Sequence, residues 1–325
     1  MAKQSKSTKL HACFRPFRDY LITMLAPAAL AAYVYGLRVV VMLGIATLLA
    51  ELCDLTVALL RGRRFDMSDI SSVTFAWIFT LMLPATAGYG MLIFGVLATV
   101  LLGKHVFGGY GCYPFHPSAF GFALTVASYG SRVFQYAKPF SKVGLGWTVE
   151  TELFRSPAHS LQLGGVPSTG STDLLLGDFA GPIGATFCLV VLSCMVLLIV
   201  HGAMKWQTPV SYLVTCALWA FLFPRVTATG LFSVMLEMFC CGIPFAAAYL
   251  VAEPTLCPHS DRAKLWYGVF VGVLTMLFNR FGAFENGVCF ALLVSGPVAG
   301  WLDRVSAGAL PALKRKGGSN GGEEK

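Results

Sequence analysis

Residues 39–60 read VVVMLGIATLLAELCDLTVALL, a stretch in which Glu51 and Asp54 alone carry charge. A bilayer core takes about 20 apolar residues as a helix, so this stretch reads as a membrane span. Outward from it, apolar runs follow one another in both directions. They place spans at 20–36, 39–60, 70–84, 89–107, 116–130, 183–203, 208–223, 231–252, 266–280 and 287–303. The third, fifth and ninth are shorter than a full crossing, which fits broken or re-entrant helices lining an internal site. Composition agrees: of 325 residues 56% are hydrophobic and 12% charged, with a mean hydropathy of +0.69. Soluble domains carry about a quarter of charged residues. The expected fold class is an all-α polytopic membrane protein with about ten transmembrane helices.

Lys and Arg collect on the cytoplasmic side of membrane proteins. With both termini inside, 17 of the 24 basic residues fall on that side, among them Arg61, Lys104, Lys205, Arg262 and Lys264. Arg38, Arg132, Lys138, Lys142, Arg155, Arg225 and Arg280 fall outside, although the outer side includes the long 131–182 interval. The net charge of +8 is explained by these flanks and by anionic membrane lipid, and calls for no nucleic-acid partner. The chain then divides into a cytoplasmic tail (1–19), a five-helix membrane unit (20–130), an exterior loop (131–182), a second five-helix unit (183–303) and a disordered cytoplasmic tail (304–325). An odd number of spans per half turns the halves over relative to each other, the arithmetic of two inverted five-helix repeats. A faint echo accompanies it: Phe107-Gly108-Gly109 before Phe122-Ala123-Leu124, and Phe281-Gly282 before Phe290-Ala291-Leu292. No cleavable signal peptide is expected, because the basic tail leads into a span without a small-residue cleavage site. The ten cysteines contain no C-x-x-C pair and read as small apolar packing residues.

The one long polar interval, 131–182, holds Pro139, Pro157 and Pro167 with many Gly and Ser, and reads as a structured surface loop without a core of its own. Near its end stands the hydroxyl cluster Ser168-Thr169-Gly170-Ser171-Thr172. By itself such a run is ordinary loop chemistry. Its Thr169-Gly170-Ser171-Thr172 core resembles the Ser/Thr-Gly-Ala-Thr site at which the RnfD and NqrB subunits of respiratory ion pumps carry FMN as a phosphoester.

The resemblance to the RnfD/NqrB family extends over most of the chain in ordered blocks. Asp69-Ile70-Ser71-Ser72-Val73-Thr74 with Leu83-Pro84 resembles the family's Asp-x-Ser-x-x-Thr helix start and its Leu-Pro end. Gly108-Gly109-Tyr110-Gly111-Cys112-Tyr113-Pro114-Phe115-His116-Pro117 is similar to its Gly-Gly-x-Gly-x-Asn-x-Phe-Asn-Pro signature, with Tyr113 and His116 in place of asparagines. Leu176-Gly177 through Gly184, then Ala252-Glu253-Pro254 and Phe284-Glu285-Asn286-Gly287, continue the series after the threonine site. Val166 replaces a usual acidic residue, Ser171 an alanine, Ala185 a glutamate and Glu253 an aspartate.

The resemblance implies a membrane subunit of an ion-translocating ferredoxin:NAD oxidoreductase, closest to RnfD, that relays electrons coupled to sodium or proton movement and reduces no substrate alone. It implies covalent FMN at Thr172, with Thr169, Gly170 and Ser171 around it and Ser168 and Ser171 as rival hydroxyls. It implies a bacterial inner-membrane location with the flavin loop outside, other membrane and iron-sulfur subunits as partners, and a flavin transferase for maturation. It also implies a second, noncovalent flavin such as riboflavin, for which Asp69, Thr74, Tyr113 and Phe115 are candidates; the glycine-rich run there equally serves to break a helix and bring backbones close. The NqrB-type subunit of the sodium-pumping NADH:quinone oxidoreductase is the near alternative. A solute channel or transporter built from inverted repeats is the alternative of another class.

Glu51, Asp54 and Glu237 lie within spans, where an ionised carboxylate costs on the order of 3 kcal/mol unless paired or hydrated. They are candidates for an ion path, for protonated hydrogen-bonding groups, or for contacts to a partner subunit. Glu285 and Arg280 are expected to pair at the outer end of the ninth span. His116 beside Pro117 reads as a core hydrogen-bonding group that can titrate.

Overall fold

The computed structural model describes residues 2–62, 69–147, 152–167, 169–226, 230–282 and 284–306, with side chains from Pro16 onward except Ser171 and Ser306. Ser168 and the 307–325 part of the C-terminal tail lie outside them. The first half contains α1 (Ala2–Tyr35), α2 (Leu37–Leu60), α3 (Ser71–Met82), α4 (Tyr89–Leu97, running on as a π-helical Ala98–His105) and α5 (Pro117–Tyr129). Two short helices follow in the connecting segment, α6 (Pro157–Gln162) and α7 (Ser171–Leu176). The second half contains α8 (Cys188–Val200), α9 (Gln207–Leu222), α10 (Gly230–Cys240), α11 (Ile243–Phe245, running on as a π-helical Ala246–Val251), α12 (Asp261–Phe281) and α13 (Val288–Ser306).

Each of the ten stretches expected to span coincides with one of the long helices or helix pairs. Only Leu37–Leu60 and Val288–Val305 are long and apolar enough to cross a membrane alone, among the described residues. Gly230–Cys240 with Ile243–Val251 makes a third if the pair, bent by 59°, counts as one span. The reason is length: at 1.5 Å per residue the 12 residues of α3 cover about 18 Å, well short of a bilayer core of about 30 Å.

Local chemistry sets these lengths. Asp69 opens α3 by accepting the Ser71 N–H at 3.1 Å, and Pro84 stops it by holding Leu83 extended at φ −79°, ψ 158°. His116 Nδ1 accepts the Ser118 N–H at 3.2 Å and so caps α5, with Pro117 in its first turn. The break between α10 and α11 falls at Gly242, whose φ of 62° is left-handed and which leads into Pro244.

Packing repeats between the halves. In the first, α2 lies against α3 and α4, and α5 lies against α3, α4 and the π segment that continues it. In the second, α9 lies against α10 and α12, and α12 against α13. Between the halves, α1 packs on α8 and α5 on α13. At this last seam Gly296 is required, because a Cβ there would stand 2.0 Å from the Pro114 carbonyl oxygen, a backbone atom that cannot swing away. Gly296→Ala is therefore expected to cost about 2–3 kcal/mol by overpacking. A thermal melt of the detergent-solubilised variant checks this, and an unchanged midpoint would contradict the packing.

Residues 130–187 connect the halves. A 3₁₀ turn (Gly130–Phe134) precedes β1 (Tyr136–Ala137), which pairs antiparallel with β2 (Leu153–Phe154); α6 and α7 come after them. Phe134, Tyr136, Leu161, Leu174 and Phe179 are buried in the same core as the long helices, so the segment is seated on the bundle. Two anchors fix it. The Arg38 guanidinium, fully buried, donates to Gly144 O at 2.6 Å, Gly146 O at 2.8 Å and Ala87 O at 2.9 Å, and lies 4.7 Å from the centre of the Tyr89 ring. The Ile183 and Gly184 N–H groups donate to Leu83 O at 2.9 Å and Leu81 O at 2.8 Å, carbonyls that α3 leaves open at its end.

Candidate functional site

Thr172 stands exposed in the first turn of α7. Asp173 organises that turn: one carboxylate oxygen accepts the Gly170 N–H at 3.3 Å, and the other lies 3.4 Å from Thr172 Oγ1. The second contact is too long to hold the hydroxyl firmly. Leu174, fully buried, pins the helix, and Gly177 closes it in a left-handed conformation at φ 86°. The result is a rigid short helix, packed on α8 and α10, that offers one accessible hydroxyl. Thr169 differs: its Oγ1 is buried and has no hydrogen-bond partner among the described residues. These features fit a phosphoester anchor, since Thr172 Oγ1 is reachable from outside while its backbone is fixed. Val166 is exposed and supplies no charge, so Asp173 is the acid beside the acceptor hydroxyl. The spacing Gly170-x-x-Asp173 is a helix-start signal legible in the sequence.

The four candidates for a second flavin have protein partners already. Asp69 accepts from Lys104 Nζ at 2.8 Å and from Ser71. Thr74 Oγ1 donates to Ile70 O at 3.0 Å. Tyr113 OH lies 3.0 Å from Glu253 Oε1 and 2.5 Å from Thr255 Oγ1. Phe115 stacks on Phe120 at 5.0 Å and meets Phe107 edge-on at 5.1 Å. A ring held by these polar groups would have to displace the bonds they make, so no step is assigned to it. The structure does bring part of the set together around Phe75, whose ring lies 5.6 Å from Tyr113, 5.4 Å from His116 and 5.5 Å from Phe17.

Of the acids within spans, Asp54 belongs to a network that the sequence does not reveal. Lys104, 1% exposed at the end of the π segment, donates to Asp69 Oδ2 at 2.8 Å and Ser72 Oγ at 2.6 Å, with Asp54 Oδ2 at 3.7 Å. Asp54 Oδ1 accepts from Ser72 Oγ at 2.8 Å and lies 2.5 Å from His105 Nε2. Sequence counting treats Lys104 only as a flanking charge; its signal is an adjacent Lys-His pair closing an apolar run. The extra residue per turn of a π segment turns such a group inward, and π segments gather at functional sites. Glu51 lies half-buried on α2, one turn before Asp54. Glu237, 2% exposed, pairs with Arg225 Nη2 at 3.3 Å and shares no hydrogen bond or ion pair with the Asp54 group among the described residues.

The expected Glu285–Arg280 pair is not formed. Arg280 Nη1 donates to Phe223 O at 2.7 Å, ending α9. Glu285 turns inward and accepts from Ser156 Oγ at 2.5 Å and Tyr136 OH at 3.3 Å, so it ties the connecting segment to the α12–α13 turn. Two loop residues more than a hundred positions away thus take the acid that local spacing assigns to arginine.

Burial pushes the Glu285 carboxyl up from 4.5 to about 7, against the opposing pull of the Ser156 and Tyr136 hydrogen bonds. Burial likewise raises Glu253 to about 7, opposed by Thr255 and Tyr113. An acid whose folded value lies above its unfolded one stabilises fully below the unfolded value and loses that contribution as pH rises to the folded one. Stability is therefore expected to fall between pH 4.5 and about 7, by on the order of 3 kcal/mol per group, and to level off above. Glu285→Gln, which mimics the protonated acid, should remove about half of that slope and raise the melting temperature at pH 8. Melts at a series of pH values check this; an identical slope in the variant would show that Glu285 is not the titrating group.

Residues 8–309 match the family described as NQR2, RnfD, RnfE. The chain is 27% identical to the D-type subunit of the ion-translocating oxidoreductase complex of Actinobacillus succinogenes, over 84% of this chain and 86% of that protein. It is 25% identical to the protein of the same name from Haemophilus influenzae, over 88% and 90% of the two chains. With that from Alcanivorax borkumensis it shares 26% identity over 75% and 76%.

Proposed function

The chain belongs to the NQR2, RnfD, RnfE family, and on that premise we propose that it is the D-type membrane subunit of an ion-translocating oxidoreductase complex. The observation that carries this is the family match over residues 8–309, which takes in both halves and the α7 segment between them. In this reading the ten helices or helix pairs are ten crossings in two inverted five-helix repeats. The repeated neighbours support it: α2 on α4 answers to α9 on α12, and α4 on α5 answers to α12 on α13. Both pairs α1·α8 and α5·α13 join a helix to its own counterpart, as an axis between inverted repeats requires. The count of basic residues puts both termini inside and α7 outside.

Thr172 is the FMN attachment point in this reading, through a phosphoester on Oγ1. Bound there, FMN supplies one- and two-electron transfer that the side chains of this protein lack. The chain's own part is positional. Asp173 and Gly170 hold the first turn of α7, Leu174 seats it, and the fixed Thr172 keeps the cofactor at a constant place beside partner subunits. Neighbouring membrane and iron-sulfur subunits exchange the electrons, and a flavin transferase installs the group. Coupling to sodium or protons belongs to the complex. Asp54 and Glu237 each face a cation, so an ion passing either must compete with Lys104 or Arg225.

The test is affinity purification of the tagged chain from its own host. The expected result is a set of copurifying membrane and iron-sulfur subunits and a flavin-fluorescent band for this chain that survives denaturing electrophoresis. A lone, flavin-free chain that conducts a solute in proteoliposomes would replace this reading with the channel one.

A further inference from the structure

Two adjoining cavities at the seam of α1 and α8 have complementary chemistry. The first, about 290 Å³, is lined by Lys205, Lys264, His259 and the Thr208 hydroxyl, with Pro16 of α1 and the Gly202–Met204 turn closing one side. The second, about 140 Å³, is an apolar groove between α1 and α8 lined by Ile22, Thr23, Leu197 and Leu198, with Asp19 and His201 at its rim. They meet where His201 of one is followed by Gly202 of the other, and where Pro16 and Asp19 stand one turn apart on α1.

We propose that this seam binds an anionic phospholipid, its phosphate between Lys205 and Lys264 and one acyl chain in the α1–α8 groove. Lys264, 9% exposed, is held in place by His259 O at 3.1 Å and Asp261 Oδ1 at 3.2 Å, which uses two of the three donors of its ammonium group. Lys205 is exposed at the mouth. The acids nearby are engaged or outward: Asp303 accepts the His259 and Ser260 N–H groups, Asp19 lies 3.8 Å from Arg18, and Asp261 is 72% exposed. Two ammonium groups and two imidazoles therefore face an otherwise unoffset phosphate position. Basic pockets between membrane helices take acidic headgroups by this chemistry. Trp206 and Trp266, 53% and 66% exposed, stand beside the two lysines as aromatic residues do at the headgroup level. A soluble phosphate compound has no use for the apolar groove, and a neutral isoprenoid has none for the lysines. The exposure of Ile22 at 57% and Leu197 at 50% leaves the groove open along its length to a chain lying parallel to the helices.

The test uses the chain within its purified complex, stripped of lipid by detergent exchange, with phosphatidylglycerol, phosphatidylcholine and inorganic phosphate as probes. Retained lipid is read by native mass spectrometry. Phosphatidylglycerol should be retained over phosphatidylcholine, and Lys205→Gln, an exposed substitution that spares the core, should reduce that retention about fivefold while leaving phosphatidylcholine unchanged. Leu197→Trp, which fills the groove without touching either lysine, should lose the lipid. Equal retention of the two lipids, or full retention by Lys205→Gln, would overturn the proposal. Displacement of phosphatidylglycerol by millimolar inorganic phosphate would overturn the lipid source and leave a soluble phosphate ligand.

Discussion

Thr172→Ala, produced beside an active flavin transferase, is expected to carry no esterified FMN, whereas Thr169→Ala keeps it. A phosphoester needs a hydroxyl oxygen, and alanine supplies none. Thr169 Oγ1 is buried and cannot reach a transferase, while the Thr172 side chain is exposed and makes only the 3.4 Å contact to Asp173. The helix itself should be indifferent to the change. Its N-terminus is held by the Asp173 carboxylate on Gly170 N–H and its interior by Leu174, so the melting free energy should move by less than about 0.5 kcal/mol. Ser171→Ala separates the remaining rival hydroxyl. Peptide mass spectrometry over residues 160–180 reads the result: flavin mass on the alanine-172 peptide, or none on the wild type with the transferase shown active, ends the reading of Thr172 as the anchor.

The second large effect concerns Lys104. Its ammonium group, 1% exposed, balances Asp69 at 2.8 Å and Asp54 at 3.7 Å. Removing one partner of a buried pair leaves an uncompensated charge and costs about 3–5 kcal/mol. Lys104→Ala should therefore unfold at a much lower temperature, and combining it with Asp69→Asn should recover part of the loss, because the orphaned carboxylate is then gone. Melting curves of the single and double variants measure this directly. A double variant no more stable than the single one would show that the packing of the lysine stem matters and its charge does not. Disruption of the group should also loosen the junction of α2, α3 and the π segment, since Ser72 and His105 bond to the same Asp54.

The helices and their approximate places were determined by the sequence, because a run such as 39–60 can satisfy its backbone in lipid only as a helix, whatever its neighbours do. Starts and stops were equally local: Pro84 ends α3, Pro117 begins α5, and Gly177 closes α7, each through its own φ restriction or freedom. The hydroxyl cluster at Thr172 was visible for the same reason, being a contiguous string. Pairings were not. Glu285 stands five residues from Arg280 and spacing matches the two, yet its partners are Ser156 and Tyr136, 129 and 149 residues away. Lys104 meets Asp69 across 35 residues and Tyr113 meets Glu253 across 140. Such contacts depend on how helices rotate against each other and on where a π segment turns a side chain, and neither is encoded in any one stretch. The tertiary structure alone decided which charges are neutralised, which acids titrate near neutrality, and which side chains of α1 and α8 form one groove, because each of these is a property of two surfaces brought together.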